Sequence, residues 1–223
     1  MPLKLDLCTE ADMPRAFEII SLAFGHIHAY VEAVWPEHDT PSGRAAGAER
    51  LLIAKQTQPW THLCKVTDTD TGEMVGFAKW DVYDGVVPEV PTSMPEKYYK
   101  DDDAKKYAEY IWGEFTRRRW ESVRESGGNL VSLDITSVDP KHHRRGAGSL
   151  FMQYGTAIAD KLGVEAVVEA SRMGRYLYEN FGFQILEDVL IPNPPKQQGQ
   201  QEQFIHWMRR PARSYVASNE PAN

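Results

Sequence analysis

Four residues that could bind a phosphate, Arg144, Arg145, Gly146 and Gly148, stand between a strand-like and a helix-like segment. Glycine has no Cβ, so an anion can approach the backbone closely. The first amides of a helix have no intrahelical partner, and the helix dipole adds positive charge there. The segment therefore predicts an anion site with a pyrophosphate as its natural ligand. The alternative is an ordinary helix start that follows a charged, solvated turn.

The spacing of the two glycines argues against two common nucleotide motifs. A dinucleotide fingerprint would need a third glycine at position 151, where this chain has Phe. A Walker loop would need Gly-Lys-Ser/Thr, which does not occur here. A pyrophosphate ligand of another kind is therefore favoured.

The stretch from Leu133 to Leu150 resembles motif A of the GNAT acetyltransferases, Gln/Arg-x-x-Gly-x-Gly/Ala. Val138-Asp139-Pro140 fits the turn that precedes the motif, whereas His143 stands where the family usually has Gln or Arg. The resemblance implies that the helix start holds the pyrophosphate of coenzyme A and that the preceding strand pairs with pantetheine amides. The coenzyme A contacts that it implies are Thr136, Ser137, Val138, His143, Arg144, Arg145, Gly146, Ala147, Gly148, Ser149, Ser171 and Tyr178.

A second stretch, from Glu169 to Phe183, resembles motif B of the same family, in the form common among fungal members. Tyr178 occupies the position of the tyrosine near the thioester sulfur, and a phenol with a pKa of ~10 can protonate a thiolate. Its alternative role is that of a core tyrosine. Ser171 stands where many members carry an Asn that bonds the pantetheine arm. It could also cap the following helix.

The base that would take a proton from an acceptor amine is less defined. Ser132, Asp134 and Thr136 share one face of the strand that leads to the glycines. Asp134 is the ionisable one, so we expect it to accept the proton directly or through water. A structural carboxylate bound to a neighbouring loop is an equally weighted alternative, and many family members use water instead.

An aromatic and partly acidic wall for the acceptor is expected from Tyr30, Glu32, Trp35 and Trp80. Packing aromatics are the alternative, and they are the commoner case for any single residue. No metal is expected, because adjacent histidines tend to point apart and neither His142-His143 nor His26-x-His28 is completed by a Cys/His set.

The elements that position these residues follow from hydrophobic spacing. We predict strands over 3–8, 60–67, 74–83, 130–138, 164–170, 183–191 and 204–208. Helices are predicted to begin after Thr9 or Asp12, after Ser42, and near Asp101 and Arg145. A loop or short helix is expected over 25–41 and a short helix over 172–181. The turn at 68–73 makes the second and third strands a hairpin. The expected fold class is α/β (α+β mixed sheet), and the resemblance implies a mostly antiparallel central sheet with one splayed parallel pair.

Length, charge and cysteine content limit the domain organisation, the partners and the location that can be expected. The chain has 223 residues and a formal net charge of −7, which argues against nucleic acid as a partner. We expect one domain over 1–210 and a disordered tail over 211–223. Neither a signal peptide nor a membrane span is evident, and Cys8 and Cys64 form no dense framework, so a cytoplasmic protein is expected, with the nucleus and one disulfide left open.

Together these features predict an N-acetyltransferase that uses acetyl-CoA and transfers the acetyl group to a primary amine of a small molecule by direct attack in a ternary complex. A protein or peptide N-acetyltransferase is one alternative. A non-catalytic acyl-CoA-binding protein is another, because His143 and Ser171 depart from the family pattern. Monomer and homodimer are both left open.

Overall fold

The computed structural model describes residues 2–213. Strands form where apolar side chains alternate, and helices where they recur every three to four residues. The strands are β1 Leu3–Leu7, β2 Thr61–Asp68, β3 Met74–Asp84, β4 Asn129–Val138, β5 Glu165–Ala170, β6 Gln184–Ile191 and β7 Gln203–Arg210. The helices are α1 Met13–Phe24, α2 Ala29–Val34, α3 Pro41–Thr57, α4 Asp102–Glu125, α5 Ala147–Leu162 and α6 Arg175–Glu179.

One seven-stranded sheet has the order β1-β2-β3-β4-β5-β7-β6, so the predicted mixed α/β class is confirmed. All neighbouring strands are antiparallel except β4 and β5. The β2–β3 hairpin is confirmed, and so is a single parallel pair in a mostly antiparallel sheet. The parallel pair requires a crossover, which α5 supplies.

The two faces of the sheet carry different helices. Val131 and Leu133 of β4 pack in one cluster with Phe151 and Met152 of α5. Leu130, which points the other way, packs with Ile111 and Phe115 of α4. Helices α1 and α3 extend that second layer over β2 and β3. The central strand β4 is therefore covered on both faces.

Two helices differ from the sequence prediction in their boundaries, and a third segment takes one of the two forms expected for it. Helix α3 begins at Pro41 rather than after Ser42, because the hydroxyl oxygen of Thr40 accepts from the Gly43 amide at 3.0 Å. The segment 25–41, expected as a loop or short helix, contains the short helix α2. The predicted helix 172–181 is reduced to α6. The predicted tail falls largely outside the described residues.

Candidate active site

The site is built around an irregularity in β4. Lys79 pairs with Ile135 and Trp80 pairs with Leu133, so Asp134 has no partner on β3 and forms a β-bulge. On its other side β4 pairs with β5 only as far as Leu133. The backbone of 134–138 therefore keeps an open edge toward β5, where an extended amide-containing ligand could add hydrogen bonds.

A cavity of about 730 Å³ opens between the diverging strands. Fifteen of its lining residues were either singled out from the sequence or lie next to such a residue in the chain. These are Tyr30, Trp35, Asp134, Ile135, Thr136, Ser137, Val138, His143, Arg144, Gly146, Ala147, Gly148, Ser149, Ser171 and Tyr178. Tertiary structure thus brings the two glycine- and tyrosine-bearing segments to one cavity.

The start of α5 presents unpaired backbone amides to this cavity. Gly146 is the N-cap with φ +96°, and Leu150 is the first residue whose amide bonds back, to the Gly146 carbonyl at 3.2 Å. The amides of residues 147–149 therefore have no intrahelical acceptor. A Cβ at Gly148 would lie 2.9 Å from Cδ2 of Leu177, so glycine also allows α6 to pack closely. Dipole, amides and space together suit a pyrophosphate.

The turn before α5 separates the two arginines. Arg144 adopts a left-handed backbone, φ 62°, and lines the cavity without an ion pair to any other residue in 2–213. Arg145 does not line the cavity; its Nη2 contacts Asp68 at 2.6 Å. His143 donates from Nε2 to the Val138 carbonyl at 3.0 Å, which ties the turn to the end of β4. Arg144 is thus the cation available to a ligand.

Tyr178 and Ser171 lie on the α6 side. Tyr178 is buried, and its hydroxyl makes no hydrogen bond to another residue of the described chain. Burial raises the pKa of the Tyr178 phenol well above its usual range. The Ser171 hydroxyl accepts from the Gly174 amide at 3.1 Å within the turn before α6, whose N-cap is Gly174 rather than Ser171. Tyr178 is therefore a protonated phenol beside the cavity.

Asp134 belongs to a buried cluster of ionic side chains. Its carboxylate contacts Nζ of Lys79 at 2.7 Å and the guanidinium of Arg119. Lys79 also binds Asp81 at 3.0 Å, and Arg119 binds Glu169 at 2.5 Å. Burial would raise the pKa of Asp134, but Lys79 and Arg119 outweigh it and hold the pKa well below its usual range. Such a carboxylate is a weak proton acceptor.

Glu169 differs from Asp134 although both line the cavity. Burial raises the pKa of Glu169, and Arg119 offsets that effect only in part. The cluster holds two cations, Lys79 and Arg119, against the carboxylates of Asp81, Asp134 and Glu169. One negative charge is therefore in excess when all three acids are ionised.

Aromatic side chains form the wall opposite α6. Tyr30 stacks on Phe115 with ring centroids 4.1 Å apart, and Trp35 and His28 line the same cavity. His28 is largely buried, which lowers its pKa to about 4, and its Nδ1 has no hydrogen-bond partner among the described residues. His28, Phe115 and Glu169 were missed from sequence; Glu169 alone carried a signal, as the first residue of the motif B stretch.

Two residues expected on the acceptor wall lie elsewhere. Trp80 is fully buried, and its indole ring packs against Gly155 of α5 on the opposite face of the sheet. Glu32 points away from the cavity toward His26 and His38. Strand alternation explains Trp80, because its neighbours Lys79 and Asp81 take the other face.

The structure also bears on the expectations for the two cysteines and for a membrane span. Cys8 and Cys64 are both free and buried, and burial raises the pKa of each thiol to about 12. Within residues 2–213, no helix is both long enough and apolar enough to cross a membrane.

No protein-family model matches this chain, and no curated protein matches its sequence. Solved structures do match. A histone acetyltransferase HPA2 and related acetyltransferase from Corynebacterium glutamicum has 20% identity and a TM-score of 0.61, covering 97% of this chain and 99% of that one. A GNAT superfamily phosphinothricin acetyltransferase from Sinorhizobium meliloti, in complex with acetyl-CoA, has 15% identity and a TM-score of 0.57, covering 98% and 92%.

A mosquito arylalkylamine N-acetyltransferase like 5b has 13% identity and a TM-score of 0.61, with 94% of this chain and 99% of that chain covered. At these identities the likeness concerns the fold. The chain therefore has the fold of GNAT acetyltransferases, including the open parallel pair at its centre.

Proposed function

We propose that this chain, with its GNAT fold, is an acetyl-CoA-dependent N-acetyltransferase that acts on a primary amine of a small molecule. One observation carries the proposal: a single cavity joins the unpaired amides at the start of α5, the open edge of β4 and the hydroxyl of Tyr178. These suit, in that order, a pyrophosphate, an amide-bearing arm and a departing sulfur. The fold neighbours that bind acetyl-CoA support it.

Coenzyme A would bind in this cavity with its parts in the same order. Its pyrophosphate would accept hydrogen bonds from the amides of 147–149, and Arg144 would add charge. The pantetheine arm would pair with the backbone of 136–138, and Ser171 lies within the same cavity. The acetyl group would then reach the β-bulge at Asp134, where the acceptor enters.

The transfer needs one proton donor on the sulfur side. The neutral amine attacks the thioester carbonyl carbon, the C–N bond forms, and the C–S bond breaks with the electron pair leaving on sulfur. Tyr178 gives its proton to that thiolate. Burial raises the pKa of Tyr178, so the phenol holds its proton at neutral pH until a thiolate forms.

The excess carboxylate charge supports an amine acceptor. A primary ammonium would be attracted by the Asp134–Glu169 side of the cavity. Because the pKa of Asp134 is lowered and that of Glu169 is raised, we assign attraction of the ammonium to Asp134. Acceptance of its proton, directly or through water, falls to Glu169.

The aromatic wall of Tyr30, Trp35 and Phe115 suits an acceptor with a flat or apolar body. This agrees with the arylalkylamine N-acetyltransferase-like neighbour. A screening panel should therefore contain aromatic and aliphatic amines of equal charge.

The direct test is calorimetric titration with acetyl-CoA, followed by detection of free thiol with the amine panel. Binding with thiol release on an amine is the expected result. Binding without release on any small amine would favour a protein acceptor or a non-catalytic acyl-CoA-binding protein. Absence of binding would refute the assignment of Arg144–Ser149 to a pyrophosphate.

Tyr178→Phe tests the proton donor. We expect coenzyme A binding to be unchanged and turnover to fall about 10²-fold or more, since a positioned general acid contributes about that much. Tyr154→Phe is the matched control, because the Tyr154 hydroxyl bonds Nδ1 of His62 at 2.8 Å and lies outside the cavity. Equal turnover in both variants would remove the general-acid assignment.

A further inference from the structure

Three metal-ligating side chains meet outside the cavity, between the end of α1, α2 and the turn that follows it. Glu32 Oε1 lies 2.7 Å from His26 Nδ1 and 3.0 Å from His38 Nε2. One ligand atom from each residue lies within 4.8 Å of the other two. His26 and His28 are close in the sequence but line different surfaces, whereas the fold brings His26 and His38 to the same carboxylate.

The second nitrogen of each imidazole is also held. Ser21 Oγ lies 2.9 Å from His38 Nδ1, and both side chains are buried. Asp39 Oδ2 lies 3.4 Å from His26 Nε2. In metal sites the ring N–H that faces away from the ion is commonly held by a hydroxyl, carbonyl or carboxylate, which sets the tautomer and aims the other nitrogen. Both histidines have this arrangement.

We propose that His26, Glu32 and His38 bind a divalent transition metal, with Zn²⁺ as the ion that the ligands suit best. Two imidazoles and one carboxylate are a known zinc set, and His and carboxylate ligands at about 2.0–2.2 Å leave a fourth position for water. Glu32 and His26 are exposed, so solvent reaches that position. The absence of cysteine and of a carboxylate majority argues against a soft metal or calcium.

Such an ion would have a structural role as a crosslink between segments of the chain. It would join the end of α1, α2 and the following turn, and the other face of α2 carries Tyr30 and Val31 into the cavity. Metal removal should therefore loosen the acceptor wall and leave the start of α5 intact. This consequence rests on the proposed function, but metal binding itself does not.

The test is titration of the untagged full chain, first dialysed against EDTA, with ZnCl₂ at pH 7.5 by calorimetry. Co²⁺ is added in parallel, because a tetrahedral site gives visible absorption bands. We expect one equivalent bound, with affinity lowered at least tenfold in His26→Asn and in Glu32→Gln. Both residues are exposed, so these variants should fold. Ser21→Ala should weaken binding by about tenfold without removing a ligand.

The matched control is Asp188→Asn. Its carboxylate contacts His206 Nδ1 at 2.6 Å without a second histidine, so this variant should bind Zn²⁺ as the wild type does. Zinc binding that is equal in Glu32→Gln and the wild type, or no binding at all, would overturn the site and leave a hydrogen-bond network. If zinc binds but acetyl-CoA does not, the metal site stands and the proposed function fails.

Discussion

Arg119 donates two hydrogen bonds to the Glu169 carboxylate, from Nε at 3.1 Å and from Nη2 at 2.5 Å, although 50 positions separate the two residues in the chain. The same guanidinium contacts Asp134 across the open β4–β5 pair. One arginine on α4 thus holds the carboxylates on both diverging strands. It stabilises the site at the place where the sheet has no ladder bonds.

Arg119→Met should be strongly destabilising. It leaves Glu169 buried without its cation, and removing one partner of a buried pair costs about 3–5 kcal/mol. The free energy of unfolding from urea titration measures the loss. Arg117→Met is the control, since Arg117 is exposed on the same helix, contacts Glu121 at 3.2 Å, and should change stability by less than about 1 kcal/mol. Equal effects in the two variants would show that the cluster does not depend on Arg119.

Gly146→Ala should weaken acetyl-CoA binding. Gly146 has φ +96° with open space around it, so alanine adds backbone strain of about 1 kcal/mol and turns the following amides. We expect Kd to rise about tenfold, which corresponds to about 1.4 kcal/mol. Gly163→Ala is the matched control, because Gly163 caps the other end of α5 with φ +69° and equally open space around it. It should lose similar stability with Kd unchanged; a raised Kd there would contradict a local amide effect.

Gly155→Ala should destabilise the core, because its Cβ would lie 2.3 Å from the Trp80 ring. Overpacking of this kind costs about 1–3 kcal/mol. Gly113→Ala, inside α4 with nothing within 4 Å, should instead stabilise by about 0.5–1 kcal/mol. Thermal unfolding should therefore shift Tm in opposite directions. A neutral Gly155→Ala would mean that Trp80 is free to move, as an acceptor-wall residue would be.

His28 should make folding sensitive to acid. Burial lowers its pKa from 6.5 in the unfolded chain to about 4, so the folded state binds the proton less tightly. Stability from the neutral ring is complete above pH 6.5 and is lost as pH falls to about 4, a total of about 3 kcal/mol.

The free energy of unfolding measured from pH 8 to pH 4 tests this for the wild type and His28→Phe, which suits the neighbouring rings of Phe24 and Phe115. The wild type should lose more stability than the variant over that range. Parallel curves would show that His28 titrates normally in the folded state.

Much of the secondary structure was predictable because it depends on interactions between residues that are close in the chain. The glycines at the start of α5, the turn between β2 and β3, and the alternation in β4 act over a few residues, so their spacing in the chain carries the information. The assignment of residues 136–138 and 146–149 to one cavity followed from the motif resemblance, and the fold places them together. The single domain, the tail, the oligomeric state and the fungal resemblance stay predictions.

Position on a face or in a network required the tertiary structure. Trp80 and Asp81 are adjacent in β3, and only packing decides which of them meets α5. Arg145 and Arg144 are equal in charge, but the turn aims Arg145 at Asp68 and Arg144 at the cavity. His26 and His38 flank α2 in the chain and both contact Glu32 on that helix, whereas His28 lines the cavity.

Hydrogen bonding and side-chain periodicity act over a few residues, so the chain's own pattern was enough to predict the element order, the glycine-bearing helix start and the tyrosine that lines the same cavity. Tertiary structure alone decided that Asp134 is ion-paired, that Glu169 joins it through Arg119, and which aromatics form the wall. These outcomes depend on burial and on charges brought together across the sheet. Electrostatic energies vary with distance and surroundings that no linear spacing specifies.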